Sequence, residues 1–316
     1  MVNLCASVIA QCRKFIMIKN QSKLYKQGEM MEQKVTVDGK ELNIHIEKVG
    51  DQGPALLMVH GIPTNARLWR HVQDILKDHY TMYAMDMVGY GQSDMPLDEF
   101  NHSFMNQAEA VKGVIEGLGL KGKVILVAHD HGGGVAQVFA TKYCDYISRL
   151  VLINPVCFDQ WPVCEVEGLA ALDGASDEVL QQALGQAVAG FPALMRMGSY
   201  DGAPFTDKNC KQNYLQFWGR GPGMTGFKSL IRISADPQQS DTDVDHSKIT
   251  CPTMVMWGEK DNFMSPTAAE KLKERISGPT RIQYIERAGH WVQEDRTDEV
   301  AKYLHDFITE WDGVSI

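Results

Sequence analysis

From Val127 to Gly134 the chain reads Val-Ala-His-Asp-His-Gly-Gly-Gly, and the group able to do chemistry there is the carboxylate of Asp130. The apolar run 124–128 leads into it, small residues follow, and a helical pattern extends from Val135 to Cys144. Strand, sharp turn and helix make a nucleophile elbow, in which small neighbours let the chain bend tightly enough to present one side chain. Most elbows carry Ser or Cys, and a hydroxyl needs a base before it can attack. An aspartic side chain has an ordinary pKa of about 3.9 and is already ionised at neutral pH. Carboxylate attack on a carboxylic ester would give a high-energy anhydride. Attack on a saturated carbon bearing a leaving group gives a stable alkyl ester. The elbow therefore points to displacement at sp3 carbon rather than to ester or peptide cleavage.

The remaining chemistry follows from that nucleophile. His290, in Arg287-Ala-Gly-His-Trp291, comes just after the last strand pattern, with Gly289 leaving room for a turn. A carboxylate needs no base for its own attack, so His290 is expected to activate the water that hydrolyses the ester. Asp261 lies on the loop after the strand Thr253–Trp257, and its place between Asp130 and His290 gives the order nucleophile, acid, histidine. It is expected to orient the imidazole, with Glu259 as the alternative. His60-Gly-Ile-Pro63 follows the strand Ala55–Val59. The backbone N–H of Ile62, with that of His131, is expected to form an oxyanion hole for the ester-hydrolysis step. Asp86 to Asp94 contains Gly-x-Gly without the third glycine of a dinucleotide fingerprint, and reads as a structural turn supporting the site.

These residues need strand ends to hold them. A hairpin is expected from Lys34–Val37 and Leu42–Glu47 around Asp38-Gly39. Strands at Ala55–Val59, Tyr80–Met85, Val124–Ala128 and Leu150–Ile153 alternate with helices at Leu68–Leu76, Phe104–Leu118 and Val135–Cys144. The alternation stops over 156–247 and resumes with Thr253–Trp257, Thr267–Ile276, Thr280–Ile285 and Thr297–Trp311. It predicts an α/β fold, a mostly parallel sheet flanked by helices. Residues 31–155 and 248–316 should form the core, with 156–247 inserted as a helical cap. Residues 1–30 carry Arg13, Lys14, Lys19, Lys23 and Lys26 and no acid before Glu29. They read as an extension upstream of the fold, with an organelle-targeting segment as the alternative.

Composition narrows the partners. With 316 residues and 44% apolar content, the chain is long enough for one large core plus an insertion. Its net charge of −9, with no basic stripe, argues against nucleic acid. No apolar run approaches the roughly 20 residues that span a bilayer. Seven scattered cysteines without a C-x-x-C pair suggest free thiols, a cytoplasmic setting and no metal site. A small molecule is the expected partner, no cofactor is required, and the oligomeric state stays open.

Taken together, His60-Gly-Ile-Pro63, Asp86 to Asp94, His129-Asp-His-Gly-Gly133, Asp261 and His290 resemble the α/β-hydrolase superfamily over about residues 32–312. The aspartate nucleophile resembles the branch containing haloalkane dehalogenases, haloacetate dehalogenases and epoxide hydrolases. His60-Gly-Ile-Pro-Thr64 with Leu68-Trp-Arg70 is most similar to the first of these. The resemblance implies a Trp after the nucleophile in haloalkane dehalogenases, where this chain has His131. It implies a cap Tyr before an Arg in epoxide hydrolases, where this chain has Ile231-Arg232. His60, Trp161, Tyr200, Tyr214 and Trp218 are then candidates for contact with the substrate or its leaving group. Three readings follow: a haloalkane-dehalogenase-like hydrolase, an epoxide hydrolase, and a hydrolase-fold protein that binds a ligand or works without hydrolysis.

Overall fold

The computed structural model describes residues 28–96, 100–218 and 223–311. Eight strands form one sheet in the order β1-β2-β4-β3-β5-β6-β7-β8. They are β1 Glu29–Val37, β2 Lys40–Val49, β3 Ala55–Val59, β4 Thr81–Met85, β5 Val124–Asp130, β6 Ile147–Pro155, β7 Thr253–Gly258 and β8 Thr280–Ile285. The pairs β1–β2 and β2–β4 are antiparallel, and every other neighbouring pair is parallel. This is the expected α/β architecture, with the central strand β5 buried along its whole length.

The hairpin turns at Asp38 and Gly39, both at positive φ, which suits the right-handed twist of the strands it joins. β1 starts at Glu29, earlier than the expected boundary of the core at residue 31. Glu29 pairs with Lys48 and Met30 with Glu47, so the polar start of the strand belongs to the sheet. The expected extension otherwise falls on 1–27, outside the described residues.

β5 also runs further than expected, to Asp130, and its helix begins at once, at His131–Tyr143. Three successive glycines are poor helix formers and read as a turn. Here tertiary packing overrides propensity. A Cβ on Gly132 would stand 2.4 Å from the carbonyl oxygen of His60 and 2.7 Å from that of Val59. The absent side chain lets the helix start lie against the end of β3.

The chain order places β3 beside β5, with β4 on the far side of β3. Loops leaving the carboxyl ends of two such strands diverge and open a crevice, the usual ligand site of parallel sheets. Ile62 follows β3 and Asp130 ends β5. Between β6 and β7, no strand of the sheet is contributed by the described residues. Helices Asp177–Gly198 and Gly223–Ala235 occupy this stretch. The first buries Leu180, Leu184, Phe191 and Met195, a single stripe at helical spacing, and leaves its other face to solvent. No described helix is long and apolar enough to cross a membrane.

Candidate active site

Asp130 closes β5 with φ 53° and ψ −121°. A non-glycine residue there costs on the order of 1–3 kcal/mol, and the surrounding packing must hold it. The strain points the carboxylate at the loop after β3, where the N–H of Ile62 donates to Asp130 Oδ2 at 2.8 Å. Gly61 permits this approach: a Cβ there would meet the same carboxylate at 2.3 Å.

His290 reaches the opposite oxygen. It lies beyond β8, with Nε2 3.7 Å from Asp130 Oδ1 and Nδ1 3.1 Å from Asp261 Oδ2. The shorter contact is a hydrogen bond, and the Asp261 carboxylate is the acceptor, so the proton sits on Nδ1 and Nε2 is free to act as a base. The longer one leaves Nε2 without a direct bond to Asp130.

The Asp261 side chain is fully buried and has four other donors. Phe263 N and Met264 N donate to Oδ1 at 2.9 and 3.1 Å. Asn154 Nδ2 and Trp257 Nε1 donate to Oδ2 at 2.8 and 3.2 Å. Burial alone would push its carboxyl up, but His290 and these bonds hold it below the usual range. For His290 the balance runs the other way. Burial would lower its pKa, but the carboxylates of Asp261 and Asp130 outweigh burial and raise it. His129 packs under the imidazole at a centroid distance of 4.8 Å, and its Nε2 donates to the carbonyl of His290 at 3.0 Å. Burial pushes the pKa of His129 down to about 3, so this ring stays neutral.

The two signs make a test. In the free protein, NMR titration should place His290 above the ordinary value of about 6.5. Asp130→Asn removes one of the negative charges that raise it, so the pKa should fall. An unmoved or higher pKa would remove Asp130 from the electrostatics of His290.

A cavity lined mostly by apolar side chains lies over Asp130 and His290. The core contributes Ile62, Pro63, Phe263, Met264 and Trp291, and the inserted segment contributes Trp161, Val163, Val166, Phe191, Leu194 and Leu230. Apart from Asp130 and His290, the charged residue on the lining is the exposed Glu165.

A family model described as the alpha/beta hydrolase fold matches residues 54–297. The chain belongs to this family. It is 26% identical over 292 residues to human epoxide hydrolase 4, covering 87% of this chain and 78% of that protein. It is 27% identical over 281 residues to the cis-3-alkyl-4-alkyloxetan-2-one decarboxylase of Shewanella oneidensis, covering 82% and 83%. A thermophilic esterase from Thermogutta terrifontis superposes with a TM-score of 0.73 at 20% identity, over 90% of this chain and 99% of that one. The curated relatives support a hydrolase of the epoxide hydrolase and haloalkane dehalogenase-like branch, and the structural likeness supports the hydrolase fold.

Within this hydrolase, the other sequence candidates separate sharply. Trp161 lines the cavity, and its indole Nε1 is buried with no hydrogen-bond partner. The His131 ring stands edge-on to Trp161 at 4.2 Å and does not line the cavity.

Four candidates stand off the cavity lining. Both ring nitrogens of His60 are engaged: Nδ1 donates to the Gly61 carbonyl at 2.7 Å and Nε2 accepts from Met87 N at 3.1 Å. His60 is therefore a buried brace of its loop. Trp218 donates its indole N–H to the Pro63 carbonyl at 2.9 Å and has none left for a leaving group. Tyr214 is buried in a cluster in which its hydroxyl donates to Glu294 and accepts from Arg70 at 2.7 Å. Tyr200 is 47% exposed and off the lining.

Asp86 fits its expected role as a brace. It accepts from Ala66 N at 2.7 Å and Gln92 N at 2.8 Å, while burial raises its carboxyl to about 7. Two residues went unassigned from sequence. Trp291 lines the cavity and has a second buried indole N–H without a partner, and Asn154 holds Asp261. The sequence signal for Asn154 is its place at the end of β6.

Proposed function

We propose that the protein hydrolyses a small, neutral, apolar alkyl substrate through a covalent ester on Asp130, with halide as the leaving group. Asp130 Oδ1 attacks the saturated carbon, and the halide departs with the bonding electrons. A water then gives a proton to His290 Nε2 and attacks Cγ of Asp130. The resulting oxyanion on Oδ2 is stabilised by the Ile62 N–H, with the His131 N–H as the proposed second donor. The alcohol leaves with a proton, the carboxyl ionises, and the net products are alcohol, halide and a proton. Asp261 holds the imidazole and stabilises its charged form. The segment 156–247 acts as the cap that keeps bulk water from the ester.

The observation that carries the chemistry is one imidazole set between two carboxylates, with one oxygen of the first held by a backbone N–H. A serine hydrolase has no use for an anion at the nucleophile position. The leaving group is argued from the lining. Trp161 and Trp291 line the cavity and carry buried indole N–H groups without a hydrogen-bond partner, while Tyr200 and Tyr214 stand off the lining. Indole donors suit a spherical anion. A lining with no Lys or Arg among the described residues suits a neutral substrate better than a carboxylate.

Epoxide opening is the second reading, favoured by the epoxide hydrolases among the relatives. Chloro- and bromoalkanes and a matched set of epoxides decide between the two. Halide release is expected, and Trp161→Phe should weaken product inhibition by bromide about tenfold, the effect of one hydrogen bond to a charged group. Diol formation without halide release would favour the second reading. Inactivity on both sets would favour a ligand-binding or non-hydrolytic role.

A further inference from the structure

The loop carrying His290 is fastened to the inserted segment by a carboxylate that faces no substrate. Asp295 ends the one-turn helix Val292–Asp295 and lies off the cavity lining. Its Oδ2 accepts from Gly289 N at 2.8 Å, on one side of the junction, and from Tyr200 N at 2.9 Å, on the other. Its Oδ1 accepts from the Ser199 hydroxyl, which in turn accepts from Gly202 N at 3.3 Å. Beside it, the backbone N–H of His290 donates to the carbonyl of Gly198 at 2.6 Å. Gly198 and Ser199 are the last residue and the C-cap of the inserted helix Asp177–Gly198.

Two successive amides of the histidine loop thus end on the same helix terminus, one directly and one through Asp295. The backbones meet so closely that a Cβ on Gly289 would lie 2.2 Å from the Gly198 carbonyl. One on Gly198 would lie 2.2 Å from the Phe263 ring and 2.4 Å from Trp291.

We infer that Asp295 is a positioning residue for ester hydrolysis, a clamp that makes the placement of His290 depend on the docking of the inserted helix. A carboxylate with three donors is well suited to this. Its acceptor capacity is met in a half-buried place, and removal of the charge leaves those donors short of a partner. The ionisable groups that interact with His290 are Asp261 on the loop after β7, Asp130 and His129 at the end of β5, His131 on the helix that follows, and Asp295 itself. Burial holds His129 near 3 and His131 near 4, so neither competes as a cation at neutral pH. Loss of the Asp295 charge should therefore favour the neutral imidazole, so a slowing of hydrolysis by Asp295→Asn would not come from a larger protonated fraction.

This inference rests on the proposed ester mechanism for its kinetic test and on the folded protein alone for its titration test. Rapid-quench measurement separates the alkylation burst from ester hydrolysis. Asp295→Asn should keep the burst, slow hydrolysis about tenfold and lower the His290 pKa seen by NMR. Ser199→Ala, which removes one donor on the insertion side, should slow hydrolysis by a smaller factor. Hydrolysis unchanged in both variants would overturn the clamp, as would a burst and hydrolysis reduced in equal proportion. Wild-type protein that forms no ester would sink the Asp130 mechanism instead. The clamp would then be judged by the titration, and a His290 pKa unmoved in Asp295→Asn would overturn it.

Discussion

His290→Gln should react with its substrate once and then stop. Alkylation needs only the ionised Asp130, whereas release of the alcohol needs a base on water. Loss of a general base costs about 10²–10⁴-fold. The ester should therefore accumulate to one equivalent, and mass spectrometry should find the alkyl group on the peptide carrying Asp130. Asp130→Ala should lose essentially all turnover and keep its fold, because the elbow accommodates a smaller side chain. An adduct on another peptide, or normal turnover by His290→Gln, would overturn the assignment of both residues.

Asp261→Asn should lose on the order of 10⁴ in the rate of ester hydrolysis, the scale seen when the acid orienting a catalytic histidine is neutralised. The amide replaces an acceptor at His290 Nδ1 and offers a donor or a weaker carbonyl. It also faces Asn154 and two backbone amides arranged for an anion. The imidazole loses its fixed tautomer and the charge that stabilises its protonated form. Glu259, two residues earlier, is exposed, so Glu259→Gln should change the rate by less than about twofold. Steady-state and single-turnover rates of the two variants settle the ranking, and the reverse order would transfer the role to Glu259.

Much of this arrangement is legible before any coordinates. Parallel strands in a core are short apolar runs, and the residues that matter follow them directly: Ile62 after Val59, Asp130 after Ala128, Asp261 after Trp257 and His290 after Ile285. Chain order then assigns distinct roles to residues far apart in sequence. What is not legible is which way a side chain faces and what it meets. Trp161, Tyr214 and Trp218 are all aromatic residues of the insertion. Only tertiary packing turns the first onto the cavity, gives the second to Arg70 and Glu294, and gives the third to a carbonyl. The start of the helix at His131 is hidden for a related reason, because the need for glycine lies in β3, more than a motif's length away. Asp295 is hidden more deeply still, since its partners Ser199 and Tyr200 belong to a segment with no strand pattern to place it.

The two oxygens of Asp130 are chemical twins in isolation, but the Ile62 N–H holds Oδ2 while Oδ1 faces His290. On the proposed chemistry they have different histories. Oδ2 stays in its hydrogen bond as ester carbonyl, then as oxyanion, then as carboxylate, and never leaves. Oδ1 departs inside the alcohol at each cycle and is replaced from water. The oxygen atom in any product molecule would then have entered the protein one turnover earlier. The first alcohol released by a newly made chain would carry an atom incorporated during its translation.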